Sequence, residues 1–136
     1  MRTDMVMSEE EFRALLSNVT VPVEHRALWA LLWDGELRLV EALSADVRDV
    51  DLESRTVRVD GPRNAPGPTV APMSERTAGL LREVIGSRAE GPLLVNAGGR
   101  PVSREAAARW ARSAGRGIHD FRSQGRRARL VAAESS

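Results

Sequence analysis

The seven residues from Ala27 to Trp33, Ala-Leu-Trp-Ala-Leu-Leu-Trp, place an apolar side chain on nearly every side of a helix. Such a helix has no face to offer to water. Residues 23 to 34 therefore predict a buried core helix that Gly35 stops, and the remaining elements follow from local signals. Ser8 with Glu11 makes a capping box before Phe12, Leu15 and Leu16, which predicts a first helix from about residue 8 to 18. Leu37, Val40 and Leu43 recur at helical spacing, leaving Arg38 and Glu41 as an i,i+3 pair on another face of a short third helix.

From Arg55 to Asp60 the pattern alternates, with Val57 and Val59 on one side and Arg58 on the other, as in a half-exposed strand. Residues 61 to 68, Gly-Pro-Arg-Asn-Ala-Pro-Gly-Pro, predict a turn, and Thr69 to Ala71 a returning strand. Ser74 caps a helix carrying Leu80, Leu81, Val84 and Ile85, and Ser103 caps another that runs through Ala114. A last helix begins near His119, weakened by Gly125, and residues 130 to 136 read as a loose tail. The expected fold is mainly α with a small β-hairpin or three-stranded sheet, one α+β domain spanning residues 1–136. Trp29, Trp33 and Trp110 lie in apolar helical patterns and read as core rather than as base-stacking platforms. His25 reads as a surface residue without a role.

Composition excludes several chemistries. There is no cysteine, and the two histidines are far apart in sequence, so thiol nucleophiles, disulfides and thiolate metal sites are out. No metal and no cofactor are expected. With no apolar run of membrane-spanning length and no apolar signal core behind Arg2, the expectation is no membrane and a cytoplasmic location, at the nucleoid if the chain binds DNA. Every basic residue is arginine, and charge is unevenly spread. Residues 1 to 54 carry five arginines against twelve acids, whereas residues 104 to 129 carry eight against two. A chain polarised in this way can turn a basic face to phosphate. Arg109, Arg112, Arg116, Arg126, Arg127 and Arg129 are the candidates for that face; by residue type alone they are equally a solvated helix surface.

The order of elements and the residues on them resemble the tyrosine recombinases, or phage integrases, over about residues 7 to 125. The opening Met-Ser-Glu-Glu-Glu-Phe-Arg-Ala-Leu-Leu is similar to the family's first catalytic-domain helix. Gly-Glu-Leu-Arg-Leu-Val-Glu-Ala-Leu at 35 to 43, then Asp49-Val50-Asp51-Leu52-Glu53 and Arg-Thr-Val-Arg-Val at 55 to 59, resembles the first arginine box, its Asp-rich turn and the first hairpin strand. Gly-Gly-Arg-Pro-Val-Ser at 98 to 103, an Arg-rich helix and His-Asp-Phe-Arg at 119 to 122 resemble the second box, His-x-x-Arg.

The resemblance implies a chemistry. In that family a tyrosine attacks the scissile DNA phosphate, two arginines hold its non-bridging oxygens, a histidine assists proton transfer and a hairpin lysine serves the leaving oxygen. Planar guanidinium suits the task because it can hold two oxygens at once where charge develops. Arg38 matches the first arginine, Glu41 the acid of that box, and His119 and Arg122 the second box. Without the resemblance, Arg38 and Glu41 read as an exposed helix pair and His119 as a surface histidine.

Three departures qualify the match. The family's glycine before the Leu-Arg pair is Glu36, which is expected to set a carboxylate beside the phosphate clamp. The hairpin lysine has no counterpart, and the nearest basic residue is Arg63, a poor proton donor because guanidinium stays charged. Only fourteen residues follow Arg122, with neither the family's third-box histidine or tryptophan nor a tyrosine, and Ser123, Ser135 and Ser136 have no evident base. The expectation is a truncated, degenerate integrase-like domain that binds double-stranded DNA without cleaving it alone, regulatory in recombination or transcription. Two alternatives stand beside it. One is a module that pairs with itself or another protein through surface left by missing C-terminal helices; the other is a pocket put to other chemistry or supplied with a nucleophile in trans.

Overall fold

A computed structural model describes residues 7–59 and 69–135. Helix α1 (Glu9–Leu16) starts where the sequence signal puts it: Ser8 Oγ accepts from Glu11 N at 3.1 Å and Glu11 Oε1 accepts from Ser8 N at 2.8 Å. It ends two residues earlier than expected and buries Phe12 and Leu16. Helix α2 (Val23–Asp34) is the centre of the molecule, with nine of its twelve residues buried. The Phe12 ring stacks on Trp33 at 4.1 Å, and Trp29 stacks on Phe121 at 5.0 Å, so aromatic faces join α2 to the two ends of the chain.

Helix α3 is Leu39–Ser44, followed by a single 3-10 turn, Val47–Asp49. Three short strands, β1 (Val50–Asp51), β2 (Thr56–Val59) and β3 (Thr69–Pro72), form an antiparallel sheet in the order β1-β2-β3. Val57 pairs with Val50 on one side and Ala71 on the other, and its side chain is fully buried. Helix α4 (Glu75–Ile85) is capped by Ser74, whose Oγ accepts from Thr77 N. Leu93 and Leu94 cover the core between α4 and α5 (Arg104–Ser113), itself capped by Ser103. The expected α+β fold, mainly helical with a three-stranded sheet, is the observed one, and one apolar cluster runs through it.

A polar network holds α4 to α2. Asp34, at the end of α2, accepts from Ser74 Oγ (2.7 Å), from Arg76 Nε and Nη2 (both 2.9 Å) and from Thr77 Oγ1 (3.1 Å). Arg76 also reaches Glu9 of α1 and lies over the Phe12 ring. Those donors hold the Asp34 carboxyl below its usual range although burial pushes it up.

Several expectations need correction. His25 is buried, not on the surface: it lies one helical turn before Trp29, and its ring sits 5.7 Å from Trp110 of α5. Trp29 and Trp33 are core as expected, while Trp110 is half-buried. The last helix, α6 (Asp120–Ser135), continues into the stretch read as a loose tail as far as Ser135, since Leu130, Ala132, Ala133 and Glu134 are good helix formers. Gly125 does not interrupt it. A Cβ there would come within 2.4 Å of the Trp33 carbonyl oxygen, so glycine is what lets α6 lie directly on α2. Among the described residues no helix is long and apolar enough to cross a membrane, and no group of three or more acidic, histidine or cysteine side chains could hold a metal ion.

Candidate functional site

Two chain segments far apart in sequence build the site. The first is the turn after α2. Gly35 has no room for a side chain, because a Cβ would sit 2.8 Å from Leu37 and 2.9 Å from the Leu31 carbonyl. Glu36 follows with φ of +56°, a left-handed conformation that costs a non-glycine residue roughly 1–2 kcal/mol. The turn delivers Arg38 as the N-cap of α3 rather than as a residue within it. Glu41 therefore does not pair with the Arg38 guanidinium: its Oε1 accepts from the Arg38 backbone N–H at 2.7 Å. That contact fixes the start of α3 and leaves the Arg38 side chain exposed.

The second segment is the start of α6. Asp120 Oδ2 accepts from Gly117 N at 3.0 Å, closing the turn that precedes the helix. Ile118 and Phe121 are buried and anchor it, so that His119 projects outward and Arg122 lies half-buried between them and the α2–α3 turn. Arg122 Nε donates to the Glu36 carbonyl at 2.7 Å. Among the described residues nothing accepts from its terminal Nη groups.

Arg38, His119 and Arg122 line one cavity of about 330 Å³, together with Ser123 and, from the first turn of α5, Arg104. Its floor is apolar, with Leu32, Leu37 and Ile118. No carboxylate lines it, and among the described residues none of the three guanidiniums has an acidic partner. Three arginines and an imidazole over an apolar floor have the chemistry to hold an oxyanion, since a floor of this kind lowers the local dielectric and strengthens each charge-assisted hydrogen bond. Glu41 lies outside this cavity, in an adjoining one of about 200 Å³ that shares Arg38 and Arg122 with it.

No motif in the sequence singles out Arg104. Its signal was its place directly after the capping Ser103, inside the basic stretch already noted. The candidate arginine face is divided. Arg109, Arg112 and Arg127 are exposed. Arg116 is largely buried and faces Glu11 at 3.9 Å. Arg126 and Arg129 both bind Glu36, at 3.1 Å and 2.8 Å, and Arg129 Nη1 also donates to the Trp33 carbonyl at 2.6 Å. The Glu36 carboxylate thus turns toward α6, where hydrogen bonds from Arg129 first and Arg126 next hold it below the ordinary carboxylate range. Arg63 lies outside the described residues.

Residues 5–131 match the sequence model of the phage integrase family. Among solved structures, the XerA recombinase is similar with a TM-score of 0.71 and 19% identity, over 85% of this chain and 47% of that one. The Tn1549 transposon integrase in complex with circular intermediate DNA is similar with a TM-score of 0.69 and 17% identity, over 92% of this chain and 54% of that one. The same integrase in complex with transposon right end DNA gives 0.68 and 15%, over 92% and 53%. The chain spans about half the length of these structures. No curated protein matches.

Proposed function

This chain belongs to the phage integrase family, and from that premise we propose that its 136 residues bind double-stranded DNA by holding backbone phosphates in the Arg38–Arg104–His119–Arg122 cleft, without a nucleophile of their own. The observation that carries the reading is one cavity lined by three arginines from three separate elements, none with an acidic partner among the described residues. Two family positions, Arg38 and Arg122, would hold non-bridging oxygens, with Arg104 as a third contact and His119 as a further hydrogen-bond donor to a phosphate oxygen. The similarity to an integrase solved on DNA supports the choice of ligand. The sequence contains no tyrosine, so the covalent step of the family has no attacking group here.

The test is fluorescence-anisotropy binding to a short random duplex over a range of salt. Phosphate neutralisation makes log K fall linearly with log salt, by about 0.9 per contact. Arg38→Ala, Arg104→Ala and Arg122→Ala are each expected to make that slope shallower by about 0.9 and to weaken binding to all sequences alike. A suicide DNA substrate is expected to give no covalent adduct with this chain alone. Binding that survives all three substitutions unchanged would remove the cleft from the account.

A further inference from the structure

The residue that interrupts the family's arginine box is also the residue on which α6 converges. Arg122, Arg126 and Arg129 recur at i, i+4 and i+7 along one face of α6, and all three meet Glu36. Arg122 uses the backbone carbonyl. The other two use the side chain, one guanidinium to each carboxylate oxygen. Oε1 accepts from Arg126 Nε at 3.2 Å and Nη2 at 3.1 Å, and Oε2 accepts from Arg129 Nη2 at 2.8 Å. This is how two guanidiniums divide the two free oxygens of a backbone phosphodiester.

We infer that Glu36 is an internal stand-in for a phosphate: its carboxylate occupies Arg126 and Arg129 and withholds both from DNA beside the cleft. The inference rests on the cleft reading above for the location of the DNA, and three observations support it. The occupied pair directly continues the row that begins with Arg122, and Glu36 lines the adjoining cavity together with Arg38 and Arg122. The contact is at the surface, with Arg126 56% and Glu36 35% exposed, so a duplex in the cleft would compete with the carboxylate for these donors. A glutamate is held there in a left-handed conformation that glycine would adopt without strain, which is costly unless the side chain does something. One carboxylate thereby limits the phosphate-binding strip to the cleft and removes two cations from its α6 end.

The experiment compares wild type, Glu36→Gln, Arg126→Ala and the double variant in the salt titration on the same random duplex. Removing the carboxylate charge frees one or two guanidiniums, so Glu36→Gln is expected to steepen the slope by about 0.9 to 1.8 and tighten binding about tenfold at low salt. In wild type Arg126→Ala leaves the slope unchanged, because that guanidinium is already taken; in the Glu36→Gln background it removes about 0.9 of the gain. Weaker or unchanged binding by Glu36→Gln overturns the inference, and so does a shallower slope for Arg126→Ala in wild type. If Glu36→Gln fails to fold by circular dichroism, the Arg126→Ala result on the native carboxylate still decides. Binding by wild type with no gain in Glu36→Gln keeps the cleft and removes the masking. Binding by Glu36→Gln alone keeps the masking and removes the cleft reading, while binding by neither removes both.

Discussion

Replacing Gly125 by alanine should destabilise this protein, although helix propensity alone says the opposite. Alanine in the interior of an exposed helix is favoured over glycine by about 1 kcal/mol. At position 125 the added methyl would lie 2.4 Å from the Trp33 carbonyl oxygen, 2.8 Å from its Cα and 2.9 Å from its carbonyl carbon. All three are backbone atoms of the central helix and cannot rotate away, so α6 must lift from α2 by roughly 1 Å to restore ordinary van der Waals separation. That movement strains the Phe121–Trp29 stack and the Arg129 bond to Trp33. Overpacking of this kind costs about 1–3 kcal/mol, which, set against the propensity gain, leaves a net loss of up to roughly 2 kcal/mol. Gly79 of α4 is the internal control, because a Cβ there meets nothing within 4 Å. Gly79→Ala should stabilise by about 0.5–1 kcal/mol. Urea melts with unchanged m-values read both effects as shifts of midpoint in opposite directions. A Gly125→Ala variant as stable as Gly79→Ala would refute the close-approach argument. Because α6 also carries Arg122, the same variant should weaken duplex binding.

Three further outcomes are expected. His25 is buried, and desolvation first, with the Arg109 charge second, lowers its imidazole pKa from 6.5 to about 4. Since the unfolded chain binds the proton more readily in that window, stability is full above pH 6.5 and falls by about 3 kcal/mol as pH drops toward 4; melts across this range should show the slope, and His25→Phe should flatten it. Arg76→Ala leaves Asp34 with two hydroxyl donors and no countercharge, a loss of about 3 kcal/mol in the same melts; a change under 1 kcal/mol would show that water replaces the guanidinium. Arg104→Ala should lower duplex affinity with no change in melting midpoint, because no described group depends on that guanidinium.

Local signals in the sequence located most elements because each is decided within a few residues: the Ser8–Glu11 box, the caps at Ser74 and Ser103, the all-apolar run of α2 and the alternation of β2. What was not legible depends on partners far along the chain. His25 looks solvated beside Glu24 until Trp110 covers it from eighty-five residues away. Gly125 looks like a helix defect until α2 is placed against it. Arg38, His119 and Arg122 are singled out by the family resemblance and not by local pattern, and the fold brings all three to one cavity. Arg104 is not, because nothing in the spacing between positions 104 and 119 says that two helix starts face the same space. Glu36 was read for its charge, but the direction of its carboxylate follows from a left-handed turn that the sequence does not advertise.

The central claim is that duplex DNA meets this chain at the cleft. The most direct measurement follows the arginine Nε–Hε signals of labelled protein by NMR while a short random duplex is titrated in at low salt. The account predicts that Arg38, Arg104 and Arg122 shift first and together, with Arg109, Arg112 and Arg127 changing less. Shifts confined to those exposed arginines, or none at saturating duplex, would contradict it.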